Sequence, residues 1–493
     1  MLRNSLAHMV ARVAALASGI VTIPLVALTL GPEALGLVGV YGTLQAMVAL
    51  FDLGLPVAAN HRLAVMIGRN APPEEQAALV RTLESLFWFF AALFCVVGLG
   101  LSDALSRSWL NINVLSHTTV KTALALMFVT VAVRFPVTFY TNVLFAHDRH
   151  IFPNFIIAIS AIVRLSVSLV ALVWFHVGII EFFAIQCAGS VVEVVMLVGG
   201  VWRTNPNRLI APRWNVVREI RALAGGLTLI SVTAVVLSQI DKVVVSKLLS
   251  LSDFGVYSAG YTLASGLIAL SYPIGNAVFP QLSRSLDKKR GETAHIVCAA
   301  TELSILALIP LGSVLIMQAQ PVLWLLFLVK PVPDGLVEIL PLMMLGGLAQ
   351  ALITLPHLFQ VAAGRVATVV KINSIFVVPY GFLVLVSTME FGVVGAAASF
   401  AVLNGLRLLI YWSVLLLNRT DRQVWLHGIF LALTTVASGL MLSAAAAAYR
   451  LPDATAALIA ICSIAVLVLL AMVAMPLSRA RLLAAYRKIV AIR

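Results

Sequence analysis

Runs of about 20 apolar residues, separated by short polar segments, recur along the whole of this chain. Each is long enough for an α-helix, rising 1.5 Å per residue, to cross a hydrocarbon core roughly 30 Å thick. Inside lipid no water is available to the backbone, so every amide must be satisfied within its own segment. The runs are therefore expected to be helices. Composition agrees: 61% of the 493 residues are apolar, 11% are charged, and the mean hydropathy is +1.04. A soluble fold of this length cannot bury that much apolar surface. The runs place spans near 8–30, 36–59, 84–102, 121–146, 152–174, 178–201, 223–247, 254–280, 299–320, 336–361, 368–389, 392–416, 425–448 and 455–476. The expected class is all-α, a polytopic membrane protein of about fourteen transmembrane helices.

The formal net charge of +13 would suggest nucleic acid in a soluble protein. Its placement gives a different reading. With the N-terminus inside, most Lys and Arg fall on the cytoplasmic side: Arg62, Arg69, Arg81 and Arg149, the run Arg203, Arg208, Arg213, Arg218 and Arg221, then Arg284, Lys288, Lys289 and Arg290. The outer loops at 30–35, 176–178 and 389–392 carry none. This is the positive-inside rule applied loop by loop, and it predicts a multi-pass inner-membrane protein with both termini cytoplasmic and no nucleic-acid partner. The first run, from Val10 to Leu30, is too long for a signal-peptide core and is expected to be an uncleaved span. Cys95, Cys187, Cys298 and Cys462 lie at irregular spacing inside apolar runs, so neither a disulfide framework nor a metal site is expected.

One pattern occurs twice. Ala34-Leu35-Gly36-Leu37-Val38 corresponds to Asp253-Phe254-Gly255-Val256-Tyr257 at an offset of 219, and Thr82-Leu83-Glu84-Ser85 to Thr301-Glu302-Leu303-Ser304 at 218. Asn154 corresponds to Asn373 at 219, and Gly178-Ile179-Ile180 to Gly392-Val393-Val394 at 214. A repeat of six spans, an even number, enters the membrane twice in the same direction and predicts two parallel six-helix lobes enclosing a cavity. The division expected is a lobe at 1–202, a basic cytoplasmic linker at 203–222, a second lobe at 223–418, and two further spans with a basic tail at 419–493.

Lipid-facing positions must be apolar, so polar residues at helical spacing mark faces turned inward. Such stripes hold four basic residues at membrane depth: Arg134 with Thr130, Thr138 and Asn142; Arg164 with Ser160 and Ser168; Lys242 with Gln239 and Ser246; Arg407 with Asn404 and Tyr411. A charge near the bilayer centre costs at least about 2.5–3.5 kcal/mol, so each needs a partner, water or a ligand. Asp52, Glu193, Asp241 and His357 are candidates for charge partners or for ion coupling. Arg164–Glu193 and Asp241–Lys242 are readable as plain ion pairs. Arginine also grips phosphate oxygens two at a time, so a cationic cavity points to an anionic phosphate or diphosphate substrate. Pro24, Pro56, Pro136, Pro273, Pro356 and Pro379 within or at the ends of spans supply bends.

The segment Leu30-Gly31-Pro32-Glu33-Ala34-Leu35-Gly36-Leu37, followed by Phe51-Asp52-Leu53-Gly54-Leu55, resembles the opening of the multidrug/oligosaccharidyl-lipid/polysaccharide (MOP) exporter superfamily, in its polysaccharide-biosynthesis branch of O-antigen-unit flippases. The resemblance covers roughly residues 5–420. It implies transfer of a polyprenyl-diphosphate-linked oligosaccharide from the cytoplasmic to the outer leaflet, in contact with membrane lipid and with the polysaccharide polymerase and chain-length machinery as further partners. It also implies that Arg134, Arg164, Lys242 and Arg407 meet the diphosphate and sugars. A lipid II flippase and a cation-coupled multidrug exporter of the same superfamily are the alternative transporters. No phosphate-binding G-x-x-x-x-G-K-[ST] loop, no H-E-x-x-H and no nucleophile constellation is present, so neither a catalytic residue nor a cofactor is expected.

Overall fold

The computed structural model of the protein describes residues 2–51, 54–204, 210–213, 215–285, 290–328 and 331–417. In chain order the helices are α1 (Leu2–Thr29), α2 (Pro32–Phe51), α3 (Leu55–Gly68), α4 (Pro73–Ala104), a π-helical turn (Leu105–Trp109), α5 (His117–Arg134), α6 (Val137–Ala146), α7 (Ile151–Trp174), α8 (Ile179–Thr204), α9 (Asn215–Leu248), α10 (Leu251–Ser285), α11 (Arg290–Met317), α12 (Ala319–Leu326), α13 (Leu336–Ala362) and α14 (Val366–Leu417). Among the described residues the sole departure from helix and turn is an isolated parallel bridge between Asn111 and Ser250. Nine stretches there are long and apolar enough to cross a membrane. The protein is an all-helical, multi-pass membrane protein. The two spans expected beyond residue 418 lie outside the described residues.

Two expected spans are broken, each for a local reason. The second divides into α2 and α3 at Gly54, which adopts φ 66°, a conformation free of strain only for glycine. The fourth divides into α5 and α6 at Pro136, whose ring cannot continue the ladder of helical hydrogen bonds. Two other spans run together in α14, where Gly392 (φ 59°, ψ −139°) is the reversal point. At 1.5 Å per residue the 52 residues of α14 supply about 78 Å of helix in two pieces, enough for two crossings of a bilayer core.

By packing, the chain forms two compact units, Met1–Ser258 and Ala259–Arg493, whose boundary falls inside α10. In the first, α1 packs on α7, α5 on α4 and α8, α3 on α6, and α2 on α9. Its aromatic centre is built from Phe87, Phe135, Phe139 and Tyr140, with Phe87 and Phe139 stacked at 5.0 Å. Phe155, Val195 and other large apolar side chains point outward, as a lipid-facing surface requires.

The loop after the π-helical turn ties the start of α2 to the α9–α10 turn. Glu33, buried at the head of α2, accepts backbone N–H bonds from Asn113 (2.7 Å), Val114 (2.9 Å) and Leu115 (2.8 Å). The Asn111 amide donates to the carbonyls of Lys247 and Leu249, both at 3.0 Å, and the Leu251 amide donates back to the Asn111 carbonyl at 2.9 Å. The helices can come this close because position 36 is glycine: a Cβ there would sit 2.0 Å from the Leu251 carbonyl oxygen.

In the second unit α13 packs against α11 and α14. Glycines again set the spacing, with Gly346 seating the Phe400 ring and Gly312 the Leu348 side chain. Glu84 and Glu302, matched at an offset of 218, are both buried.

Candidate functional site

Three polar clusters occupy helix interiors, two in the first unit and one in the second. The first joins α5, α7 and α8. Glu193, with no exposed surface, accepts from Arg134 Nη1 at 2.9 Å and from Arg164 Nη1 through Oε2, and from Arg134 Nη2 at 3.4 Å through Oε1. The guanidinium side chains are 23% and 11% exposed. The carboxylate thus has no accessible surface, while both arginine side chains keep some. Gly189, one turn before Glu193, makes room: a Cβ there would fall 2.4 Å from Arg164 Cγ. Tyr41 of α2, which accepts from Gln45 Nε2 at 2.8 Å, is within electrostatic reach of all three charges.

The second cluster lies on α9 and α10. Lys242 donates to the Ser238 carbonyl at 2.8 Å and to both Asp241 oxygens at 3.3 Å, and the Tyr257 hydroxyl donates to Asp241 Oδ2. Asp241 and Lys242 are both buried. Their opposite charges cancel within one turn, which is how a buried pair is tolerated.

The third cluster lies on α13 and α14 and has a different chemistry. Arg407 donates from Nη1 to Gln350 Oε1 (2.7 Å) and Asn404 Oδ1 (3.1 Å), and from Nη2 to Asn373 Oδ1 (3.2 Å). Tyr411 also donates to Asn373 Oδ1, at 3.3 Å, and the His357 ring lies 6.1 Å from the Tyr411 ring. Among the described residues Arg407 makes no ion pair, and its Nε is buried without a hydrogen-bond partner.. Amide oxygens orient a guanidinium but do not neutralise it, so the cluster keeps a positive charge.

The structure therefore brings Arg134, Arg164 and Glu193 together, sets Asp241 with Lys242, and places His357 near Arg407. Asp52 lies outside the described residues. Hydroxyls in these apolar helices turn back onto their own backbone. Thr130, on the stripe of Arg134, and Thr22, Thr29 and Ser190 elsewhere each donate to the carbonyl four residues earlier. Such hydroxyls are satisfied locally and do not by themselves mark an open face.

Two sets of contacts escape the sequence pattern, although Asn373 and Glu84 stand in its repeat. Gln350 and Asn373 supply oxygens to Arg407 from helices remote in sequence. Glu84, from the repeated Thr-Leu-Glu-Ser segment, accepts from Tyr140 Oη (2.7 Å), Trp202 Nε1 (3.1 Å) and Arg81 Nη1 (2.7 Å), knitting α4, α6 and α8 together. Repetition of an acid at the opening of span three marks Glu84 in the sequence; its three partners come from the structure alone.

Comparison with known proteins gives one family and one fold. A family model described as polysaccharide biosynthesis protein matches residues 1–286. A putative O-antigen transporter of Shigella flexneri is 21% identical over 381 residues, covering 76% of this chain and 87% of the relative. Among solved structures, the lipid II flippase MurJ in an inward closed conformation superposes with a TM-score of 0.72 at 12% identity, covering 95% of this chain and 98% of that one. A MATE transporter of Vibrio cholerae superposes with a TM-score of 0.58 at 12% identity, covering 86% and 97%.

Proposed function

The chain belongs to the polysaccharide biosynthesis protein family and has the fold of the MOP-superfamily flippases and exporters, and on that premise we propose that it carries a polyprenyl-diphosphate-linked oligosaccharide from the cytoplasmic to the periplasmic leaflet of the inner membrane. The family and its structural neighbours are transporters and flippases, not enzymes. The observation that carries the substrate class is Arg407, a guanidinium held at membrane depth by neutral oxygens with no carboxylate among the described residues. Burying that charge is costly until an anion completes it. A diphosphate supplies planar pairs of oxygens to match the fork. The Arg134–Arg164 pair supports the same class, since two guanidiniums over one carboxylate keep one net positive charge.

In this reading the basic groups take the diphosphate on the cytoplasmic side, alternating access carries it across, and the sugars follow the head group while the polyprenyl chain stays in lipid. Lys242, neutralised by Asp241, contributes only when that pair opens. The glycan, once on the outer face, would meet the polymerase and chain-length machinery. The basic sites also argue against cationic drugs as cargo, because like charges repel.

Mass spectrometry of polyprenyl-linked sugars in a deletion strain, with an assay for surface polysaccharide, tests the proposal. Accumulation of a diphosphate-linked oligosaccharide with loss of the surface polymer is expected. Accumulation of lipid II instead would transfer the chain to peptidoglycan. Unchanged lipid-linked sugars with unchanged surface polymer would end the flippase proposal.

A further inference from the structure

The two units contain one contact built twice with opposite polarity. Glu193 and Arg407 are related by the offset of 214 that aligns Gly178 with Gly392, each 15 residues beyond its glycine. Arg134 and Gln350 are related by the offset of 216 that aligns two positive-φ residues, Asp148 (φ 59°) and Gly364 (φ 69°), at the ends of their helices. In the first unit Arg134 donates to Glu193; in the second Arg407 donates to Gln350. Acid and base have exchanged places across the repeat. Yet the formal charge of the two clusters is the same. The first has two guanidiniums and a carboxylate, the second one guanidinium among amides.

Resting on the diphosphate reading above, we propose that Glu193 is a resident counter-anion that sets the grip of the Arg134–Arg164 pair, holding it to one net positive charge so that a phosphate group binds and is also released. The geometry fits this role. Glu193 has no exposed surface while both arginine side chains remain partly exposed, so the arginines and not the acid are within reach of an arriving phosphate. The carboxylate orients both forks from behind and subtracts one charge from what the phosphate feels. It is a positioning residue and never touches the substrate. A neutral glutamine in its place keeps one accepting oxygen and the shape of the cluster, but leaves two uncompensated positive charges. Binding then tightens and release slows, which lowers turnover.

The test uses the full chain, purified in detergent for titration calorimetry with inorganic pyrophosphate, and in proteoliposomes for flipping of a polyprenyl diphosphate lipid. Glu193→Gln is expected to bind pyrophosphate about tenfold more tightly, with a steeper salt dependence, and to flip lipid more slowly than the native chain. Arg164→Gln is expected to weaken binding. Adding Glu193→Gln to Arg164→Gln returns the charge to that of the native site and is expected to restore binding to within about twofold. A positioning effect that is merely structural would weaken binding in both backgrounds. Glu193→Gln that melts near the native temperature yet binds equally or more weakly would overturn the proposal. So would a double variant no better than Arg164→Gln, a comparison that stands even where the single glutamine variant fails to accumulate. A native chain that binds neither pyrophosphate nor polyprenyl diphosphate would overturn this proposal and the diphosphate reading together. A native chain that binds both, with Glu193 variants unmoved, would overturn the role of Glu193 alone.

Discussion

At the scale of single residues the deciding quantity is compensation of charge. The sequence shows four bases at membrane depth as equals, and the structure separates them. Lys242 is closed off by Asp241, Arg134 and Arg164 share Glu193, and Arg407 has neutral partners and no carboxylate among the described residues. Arg407→Gln is therefore expected to leave the melting temperature of the purified protein within a few degrees of native while export falls at least about tenfold. Removing an uncompensated buried charge relieves the fold even as it abolishes the anion site. Arg407→Lys keeps the charge but not the planar fork, so partial export is expected. Surface polysaccharide at matched membrane levels reads both. A large fall in melting temperature for Arg407→Gln would make the residue a structural brace instead.

At the scale of elements, glycine sets where helices meet. Gly36 admits the Leu251 carbonyl so closely that any side chain must push α2 from α10. Gly36→Ala is expected to destabilise the purified protein by about 1–3 kcal/mol through overpacking. Gly42 lies on the same helix with nothing near its missing Cβ. There the same substitution is expected to be neutral or to stabilise by up to about 1 kcal/mol, because alanine is the better helix former. Thermal unfolding of the pair in detergent separates close approach from helix propensity. Equal effects at the two positions would remove the packing argument. Glu33 acts at the same junction. Its carboxylate takes three backbone N–H groups of the loop, a task that nothing in its own motif announces because the loop lies some 80 residues away. Loss of these charge-assisted bonds in Glu33→Ala is expected to cost about 2–3 kcal/mol on the same assay.

At the scale of the whole molecule, the distribution of Lys and Arg argues for cytoplasmic termini. A reporter fused after Arg213 is expected to report cytoplasm, and one fused after Leu110 periplasm. The reverse pair would invert the topology and with it the proposed direction of transport. The packing boundary after Ser258 lies beyond the basic linker at which the repeat divides the chain. Sequence repetition records which segments correspond to one another, whereas packing records which helices bury surface together. α9 belongs to the second copy by sequence, yet it packs on α2 and α3.

Much of this protein was legible from the chain alone because lipid imposes simple rules. Membrane-crossing helices follow from length and apolarity, while the Lys and Arg distribution and the order and spacing of the repeated segments carry the expected orientation and the expected two lobes. The bases at membrane depth were visible for the same reason, since a charge has no business in an apolar run without a purpose. What they do was not. Whether a guanidinium meets a carboxylate, an amide or open space depends on helices remote in sequence. Arg134 and Glu193 stand 59 residues apart, and Arg407 and Gln350 stand 57 apart. A single helix face carries no record of its neighbour. The breaks at Gly54 and Gly392 likewise needed backbone angles, because a glycine inside an apolar run is compatible with an unbroken helix until packing selects the positive φ. Hydrophobic length made the chain an all-helical membrane protein; only the meeting of distant side chains decided which of its basic residues faces a carboxylate and which faces amide oxygens.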